Sequence, residues 1–147
     1  MNSFYPALPI MQLDKGLPMP SYAHEGDAGL DLYATQDLTI KPGDTRSMGS
    51  GIAVAIPAGF AGFVLPRSGL GTTGLVIKNG TGVIDSGYRG EIRLTLYNNN
   101  KSRVCRVKRG ERVAQLVLVA IASAVPYVVD ELDETERGTG GFGSTGA

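Results

Sequence analysis

Three stretches of this chain combine residue types suited to phosphate, sugar and water chemistry. Pro66-Arg67-Ser68-Gly69 sets a guanidinium, a hydroxyl and an unencumbered backbone side by side. An arginine fork grips phosphate oxygens in pairs, and glycine lets backbone N–H groups approach an anion. A simple turn after an apolar strand accounts for the same residues. Gly82-Val83-Ile84-Asp85-Ser86-Gly87-Tyr88-Arg89-Gly90 is the most loaded segment. There the Asp85 carboxylate has the chemistry to activate water, and the Tyr88 ring the shape to pack against a sugar. Asp85 equally suits the first position of a turn. In the third stretch, Arg137 to Gly146, one arginine and one phenylalanine sit among hydroxyls and glycines. That mixture suits anion pairing, ring stacking and backbone donation by a segment that orders on its ligand. A frayed terminus is the plain alternative.

Other polar residues are harder to read. Gln115 interrupts the apolar run Val113–Val119. Burying an unsatisfied amide costs about 1–3 kcal/mol, so Gln115 is either satisfied in the core or faces a polar site. Asp31 lies between Leu30 and Leu32. On a strand it faces away from them, which predicts a solvated or salt-bridged side chain. The basic residues Lys101, Arg103, Arg106, Lys108, Arg109 and Arg112 split between two strand faces and make no single nucleic-acid stripe; protection of an edge strand is the reading they favour. Gly69–Gly74 and Gly138–Gly143 both match the glycine pattern of dinucleotide-binding loops. That pattern requires a helix after the glycines. A strand-like Leu75-Val76-Ile77-Lys78 follows the first match and the chain ends after the second, so neither qualifies.

The elements that must position these groups read as short strands. Ile92, Leu94 and Leu96 alternate with Arg93, Thr95 and Tyr97. Further strands are expected at Leu38–Ile40, Ser50–Ile56, Phe60–Leu65, Leu75–Lys78, Arg103–Lys108, Arg112–Ile121 and Val125–Val129. Pro, Gly and Asn punctuate them at Pro42-Gly43, Asn79-Gly80 and Asn98-Asn99-Asn100. No long helical period is present, and at most one short helix is expected. The composition agrees: 21 of 147 residues are glycine, about twice ordinary usage. Lys+Arg and Asp+Glu both number 14, so no basic excess drives wholesale nucleic-acid or membrane binding. One Cys and one His exclude a disulfide framework and a His/Cys zinc site. No apolar run approaches a membrane span, and the first ten residues lack the basic start of a signal peptide.

Taken in order, these pieces resemble the homotrimeric dUTP diphosphatases (dUTPases). All five family motifs occur at family spacing: Ala28–Ala34, Pro66–Leu70, Gly82–Glu91, Arg112–Leu116 and Arg137–Gly146. The resemblance covers residues 21 to the end. It implies an all-β jelly-roll β-barrel or sandwich of short strands with little helix. It implies a jelly-roll domain over 1–130 and a flexible Gly-rich C-terminal arm over 131–147 that closes over the active site. It implies a cytoplasmic homotrimer, from a bacterial cell or phage-infected host, with active sites at subunit interfaces. Neither stable nucleic-acid binding nor membrane attachment is expected. The implied reaction is hydrolysis of dUTP to dUMP and pyrophosphate with Mg²⁺, which limits uracil in DNA and supplies dUMP for dTMP synthesis.

The resemblance also assigns roles. Asp85 activates the water that attacks the α-phosphate. Tyr88 packs beneath the deoxyribose and blocks a 2′-hydroxyl. Asn79, Val83 and Ile84 read uracil. Arg67, Ser68, Gly69 and Gln115 address the phosphates or the attacking water, and Asp31 holds hydrated Mg²⁺ through water. Phe142 stacks over uracil, with Gly143 in the same motif, while Arg137, Ser144 and Thr145 close on the γ-phosphate. Arg93 fits a family position for a basic residue near the site. Two departures stand out: Thr81 replaces a common proline, and the stretch after Arg67 is about one residue shorter than in some bacterial relatives. A dCTP deaminase, which shares the fold, is expected to carry a catalytic glutamate where this chain has Thr95. A non-enzymatic jelly-roll module is disfavoured by the intact Asp85, Tyr88 and tail.

Overall fold

The alternation over residues 91–98 appears as written. Ile92, Leu94 and Leu96 are buried while Arg93 is exposed. The computed structural model describes residues 6–141. Its strands are β1 (Ile10–Gln12), β2 (Gly29–Tyr33), β3 (Leu38–Ile40), β4 (Thr45–Val54) and β5 (Phe60–Pro66). After α1 (Ser68–Gly71) come β6 (Leu75–Ile77), β7 (Gly82–Ile84), β8 (Glu91–Asn98), β9 (Cys105–Val107) and β10 (Arg112–Ala120). Two four-stranded antiparallel sheets form, ordered β1-β4-β8-β6 and β2-β10-β5-β7, with β3-β9 as a separate ribbon. The fold is a jelly roll, with almost no helix, as expected.

One apolar core joins the two sheets. Leu30, Leu32, Val64 and Leu116 enter it from the second sheet, and Met48, Ile77, Ile92, Leu94 and Leu96 from the first. Each such large apolar side chain contributes roughly 1.5–3 kcal/mol when fully buried. The strand predicted at Ser50–Ile56 is longer and starts earlier, at Thr45. It pairs with β8 over Thr45–Gly49 and again at Ala53, with a register shift in between, and with β1 over Ile52–Val54. Gly51 sits in that irregularity at φ +75°, where a side chain is strained. The strand expected at Val125–Val129 is absent, and residues 121–141 carry no strand or helix. No edge of either sheet in this chain pairs with them. Among the described residues no helix is long and apolar enough to cross a membrane.

The loop after β1 is tied to the turn between β9 and β10 by Asp14 and Arg109, 2.6 Å apart. The Arg109 hydrogen bond holds the Asp14 carboxyl below its ordinary range, and Asp14 in turn raises Arg109. A depressed carboxyl stabilises the fold above its unfolded-state pKa, and that stabilisation fades as pH falls through the folded value. Asp14→Asn is therefore expected to lower Tm at neutral pH. In thermal scans, the gap from the parent protein should close as the buffer is acidified below about pH 4.

Candidate active site

Strand pairing assembles the first half of the site. Gln115 on β10 lies opposite Asp31 on β2 and opposite Leu65 on β5. Arg67 follows two residues past Leu65, so the row Asp31–Gln115–Leu65 ends beside it. Arg67 Nε donates to Asp31 Oδ1 at 2.9 Å, and Arg112 Nη1 donates to Oδ2 at 3.2 Å. The Asp31 side chain is only 9% exposed. Of the two expected states, solvated or salt-bridged, the structure shows the second: a buried, doubly paired carboxylate whose desolvation two arginines offset. Gln115 is both satisfied and site-facing. Its Nε2 donates to the Pro66 carbonyl at 3.0 Å, and it lines the cavity. A Cβ at Gly29 would stand 2.4 Å from Gln115 Oε1, so glycine is required for the amide to lie there.

Gly29, Asp31, Arg67 and Gln115 line a polar cavity of about 420 Å³ together with Asp27, Ser68 and Gly69. The donor set fits a hard cation. Mg²⁺ characteristically takes one or two carboxylates, keeps several waters and completes its shell with substrate phosphates. Asp27 and Asp31 offer such oxygens, and among the described residues no group of three or more His, Cys, Asp or Glu makes a closed protein cage. Both Asp31 oxygens already accept from arginine, which suits contact through water.

The second half of the site lies on β7 and the loop after it. The β7 strand is at the edge of its sheet, so one row of its backbone N–H and C=O groups is free for a ligand. The turn before it is closed by Gly80 N–H donating to Ile77 O at 3.0 Å. Thr81 N–H donates to Asn79 O at 2.8 Å. Proline could not make that bond, so threonine fastens the turn by a different means. After β7, Tyr88 N–H donates to Asp85 O at 3.0 Å, so Asp85 does open a turn. Its side chain is exposed. Tyr88 Oη donates to Glu91 O at 3.1 Å, and a Cβ at Gly90 would stand 2.4 Å from that hydroxyl oxygen. Arg89 Nη1 donates to the Ser86 and Tyr88 carbonyls at 2.7 and 2.9 Å, closing the turn from the other side.

The two halves do not meet within one chain. Ile84 pairs with Gly62, five residues before Arg67 on the neighbouring strand. At about 3.3 Å per residue that is roughly 17 Å along the sheet, and the chain beyond Ile84 continues away from Arg67. Asp31, on β2, is at the opposite sheet edge from β7. Arg93 is exposed on β8 in the other sheet, and Thr95 there hydrogen-bonds Ser47 at 2.9 Å. Arg137 is exposed and donates to Gly140 O at 3.0 Å. Phe142, Gly143, Ser144 and Thr145 lie outside the described residues.

Sequence reasoning gave no role to Asp27, Arg89 or Arg112. For Arg112 the signal was its place near Gln115, which brings it to Asp31 across a bulge in β10–β2 pairing. Asp27 lies in a loop whose spacing carries no such signal. The rejected glycine pattern at 69–74 is also explained, since α1 is a single turn and leads into β6. Asp31→Asn should free both arginines and lower stability by roughly 1–2 kcal/mol, read by urea unfolding at pH 7.

Comparison with known proteins gives a consistent set of matches. A family model described as dUTPase matches residues 15–146. A deoxyuridine 5′-triphosphate nucleotidohydrolase of Corynebacterium glutamicum is 49% identical over 141 residues, covering 95% of each chain. One from Thermobifida fusca is 47% identical, covering 93% of this chain and 77% of its own length. Among solved structures, a Staphylococcus bacteriophage 80alpha dUTPase mutant with dUpNHpp superposes with TM-score 0.88. It is 31% identical, over 96% of this chain and 99% of the phage protein. A mutant dUTPase from phage phi11 of S. aureus, with TM-score 0.78 and 27% identity, covers 86% of this chain and 98% of its own. That structure is described as revealing the coordination of a structural Mg(II) ion.

Proposed function

The chain belongs to the dUTPase family, and from that premise we propose how it hydrolyses dUTP to dUMP and pyrophosphate. The observation that carries the reading is the division of the site. The phosphate-type groups Arg67, Ser68, Gly69 and Gln115 share one cavity with Asp31, while Asn79, Val83, Ile84, Asp85 and Tyr88 belong to a separate hairpin region. Register argues that Ile84 and Asp85 of one copy cannot serve that copy's own Arg67. A complete site therefore combines the cavity of one subunit with the hairpin of another, in a homotrimer with sites at its interfaces. Residues 131–147 act as the arm that closes over a site. The chain leading to it supports this: Val125, Tyr127, Val128 and Leu132 are 83–97% exposed and find no cover in their own subunit.

In the completed site, Arg67 with the Ser68 hydroxyl and the Gly69 backbone binds triphosphate oxygens. Asp31 would hold hydrated Mg²⁺ through water, and the cation would offset phosphate charge and polarise the scissile bond. The Asp85 carboxylate takes a proton from the attacking water, directed in line at the α-phosphate. Gln115 orients phosphate or water from the cavity floor. The free edge of β7 reads uracil through backbone groups at Val83 and Ile84, assisted by Asn79. Cytosine presents the opposite donor–acceptor polarity and leaves those groups unpaired. Tyr88 excludes a 2′-hydroxyl. Arg93 supplies positive charge near the assembled site. Arg137, Ser144 and Thr145 close on the γ-phosphate, Phe142 stacks over uracil, and Gly143 allows close backbone approach. In the cytoplasm, the product dUMP feeds dTMP synthesis, and removal of dUTP keeps uracil out of DNA.

The direct test is pyrophosphate release with Mg²⁺ from dUTP, UTP, dTTP and dCTP in parallel. Release from dUTP alone is expected, and release from none would sink the reading. Asp85→Asn should retain nucleotide binding and lose at least about 100-fold in kcat. Tyr88→Ala should raise kcat/KM for UTP relative to dUTP. Unchanged discrimination would remove the ring from sugar recognition.

A further inference from the structure

The loop bearing Arg67, Ser68 and Gly69 is gripped at its far end by amides that no part of the proposed chemistry uses. Asn98, the last residue of β8, is fully buried. Its Nδ2 donates to the carbonyls of Ile40 at 2.9 Å and Arg103 at 2.8 Å. Its Oδ1 accepts from Asn100 N at 3.0 Å and Asn100 Nδ2 at 2.7 Å. Asn100 is thereby oriented, and the second hydrogen of its Nδ2 reaches the Thr73 carbonyl at 2.9 Å. The Arg103 guanidinium donates to the same carbonyl. Asn99 N–H donates to Gly74 O at 2.8 Å. Gly74 has φ +84°, and a Cβ there would stand 2.5 Å from Asn100 Nδ2, so the fit leaves no space for a side chain.

From Thr73 a short relay runs back to the phosphate groups. Thr73 N–H donates to Leu70 O at 2.9 Å, and Thr72 N–H to Ser68 O at 3.3 Å. Thr72 Oγ1 donates to Gly69 O at 2.8 Å, and Gly71 N–H to Arg67 O at 3.1 Å. The loop is thus fastened at both ends, by Asp31 and Gln115 at Arg67 and Pro66, and by Asn100, Arg103 and Asn99 at Thr73 and Gly74. Four-residue α1 buries none of its residues, so packing does little to hold it. We propose that Asn100, oriented by buried Asn98 and assisted by Arg103, is a positioning residue. It latches Thr73 and so presets Arg67, Ser68 and Gly69 for the triphosphate. The inference rests on reading that loop as the triphosphate site. A preset loop lowers the ordering cost of binding, and losing it weakens phosphate binding without altering the chemical step.

The test uses the full chain with Asn100→Ala, Asn100→Asp and Arg103→Met. Asn100→Asp turns the donor facing Thr73 O into an acceptor, so it should be the most severe. For Asn100→Asp, KM for dUTP and the calorimetric Kd for inorganic tripolyphosphate should each rise about tenfold. Changes in kcat should stay within about twofold, and the Ki of deoxyuridine, which has no phosphate, should not move. Arg103→Met, at an exposed position, should give a smaller rise in the same two constants and serves if Asn100→Asp does not fold. Lower Tm with unchanged KM and tripolyphosphate Kd would overturn the proposal, as would equal weakening of deoxyuridine. A kcat loss with intact KM would overturn it too. Absence of dUTP turnover in the parent protein would instead sink the proposed function, leaving the tripolyphosphate Kd to decide the latch.

Discussion

The pairing of β10 with β2 on one side and β5 on the other is the constraint on which the site depends. It sets Asp31, Gln115 and Leu65 in one row and brings Arg67 to the Asp31 carboxylate. The same sheet pairs β7 to the outer side of β5 in antiparallel register, with Ile84 at Gly62. Any chain that obeys both pairings collects its phosphate groups at one end of β5 and carries Asp85 toward the other. Hydrogen-bond register alone therefore separates Asp85 from Arg67 along the sheet of one chain, whatever the details of the loops.

Electrostatics at the cavity follow from a chain with no net charge. A polyanionic ligand requires local positive groups; Arg67, which lines the cavity, and Arg112 are both held by one buried carboxylate. Asp31 orients both arginines, and the proposed mechanism gives it a second task, offering an oxygen toward hydrated Mg²⁺. The two are compatible because the cation needs only one or two protein carboxylates when phosphates supply the rest. Nearby basic residues that looked like a possible stripe are spent singly: Arg103 on a carbonyl, Arg109 on Asp14, Arg112 on Asp31.

Local patterns in the sequence revealed what local physics decides. Alternation identified β8, and the Leu38–Ile40 strand matches β3 at both ends. Non-local partners decided the rest. Asp31 reads as an outward, solvated or salt-bridged position; the salt bridge is there, but its partners come from β10 and the end of β5 and the carboxylate is buried. Val125–Val129 reads as a strand by composition, but a strand needs a partner, and no sheet edge of its own chain pairs with it. Asn98-Asn99-Asn100 reads as a turn. Asn98 is instead a fully buried end of β8, because its amide satisfies backbone groups of two other segments. Only the five motifs in their order, as a resemblance, brought the residues of the two halves into one expected site.

Subunit complementation tests the central claim most directly. Arg67→Ala and Asp85→Asn chains, each inactive alone, are unfolded together in equal amounts and refolded. If each site joins the cavity of one copy to the hairpin of another, about a quarter of sites in randomly mixed trimers regain both intact halves. Activity near that fraction of the parent enzyme is the result this account predicts. Mixed trimers that form but show no activity above the separate variants would contradict it, since both halves would then have to come from one chain.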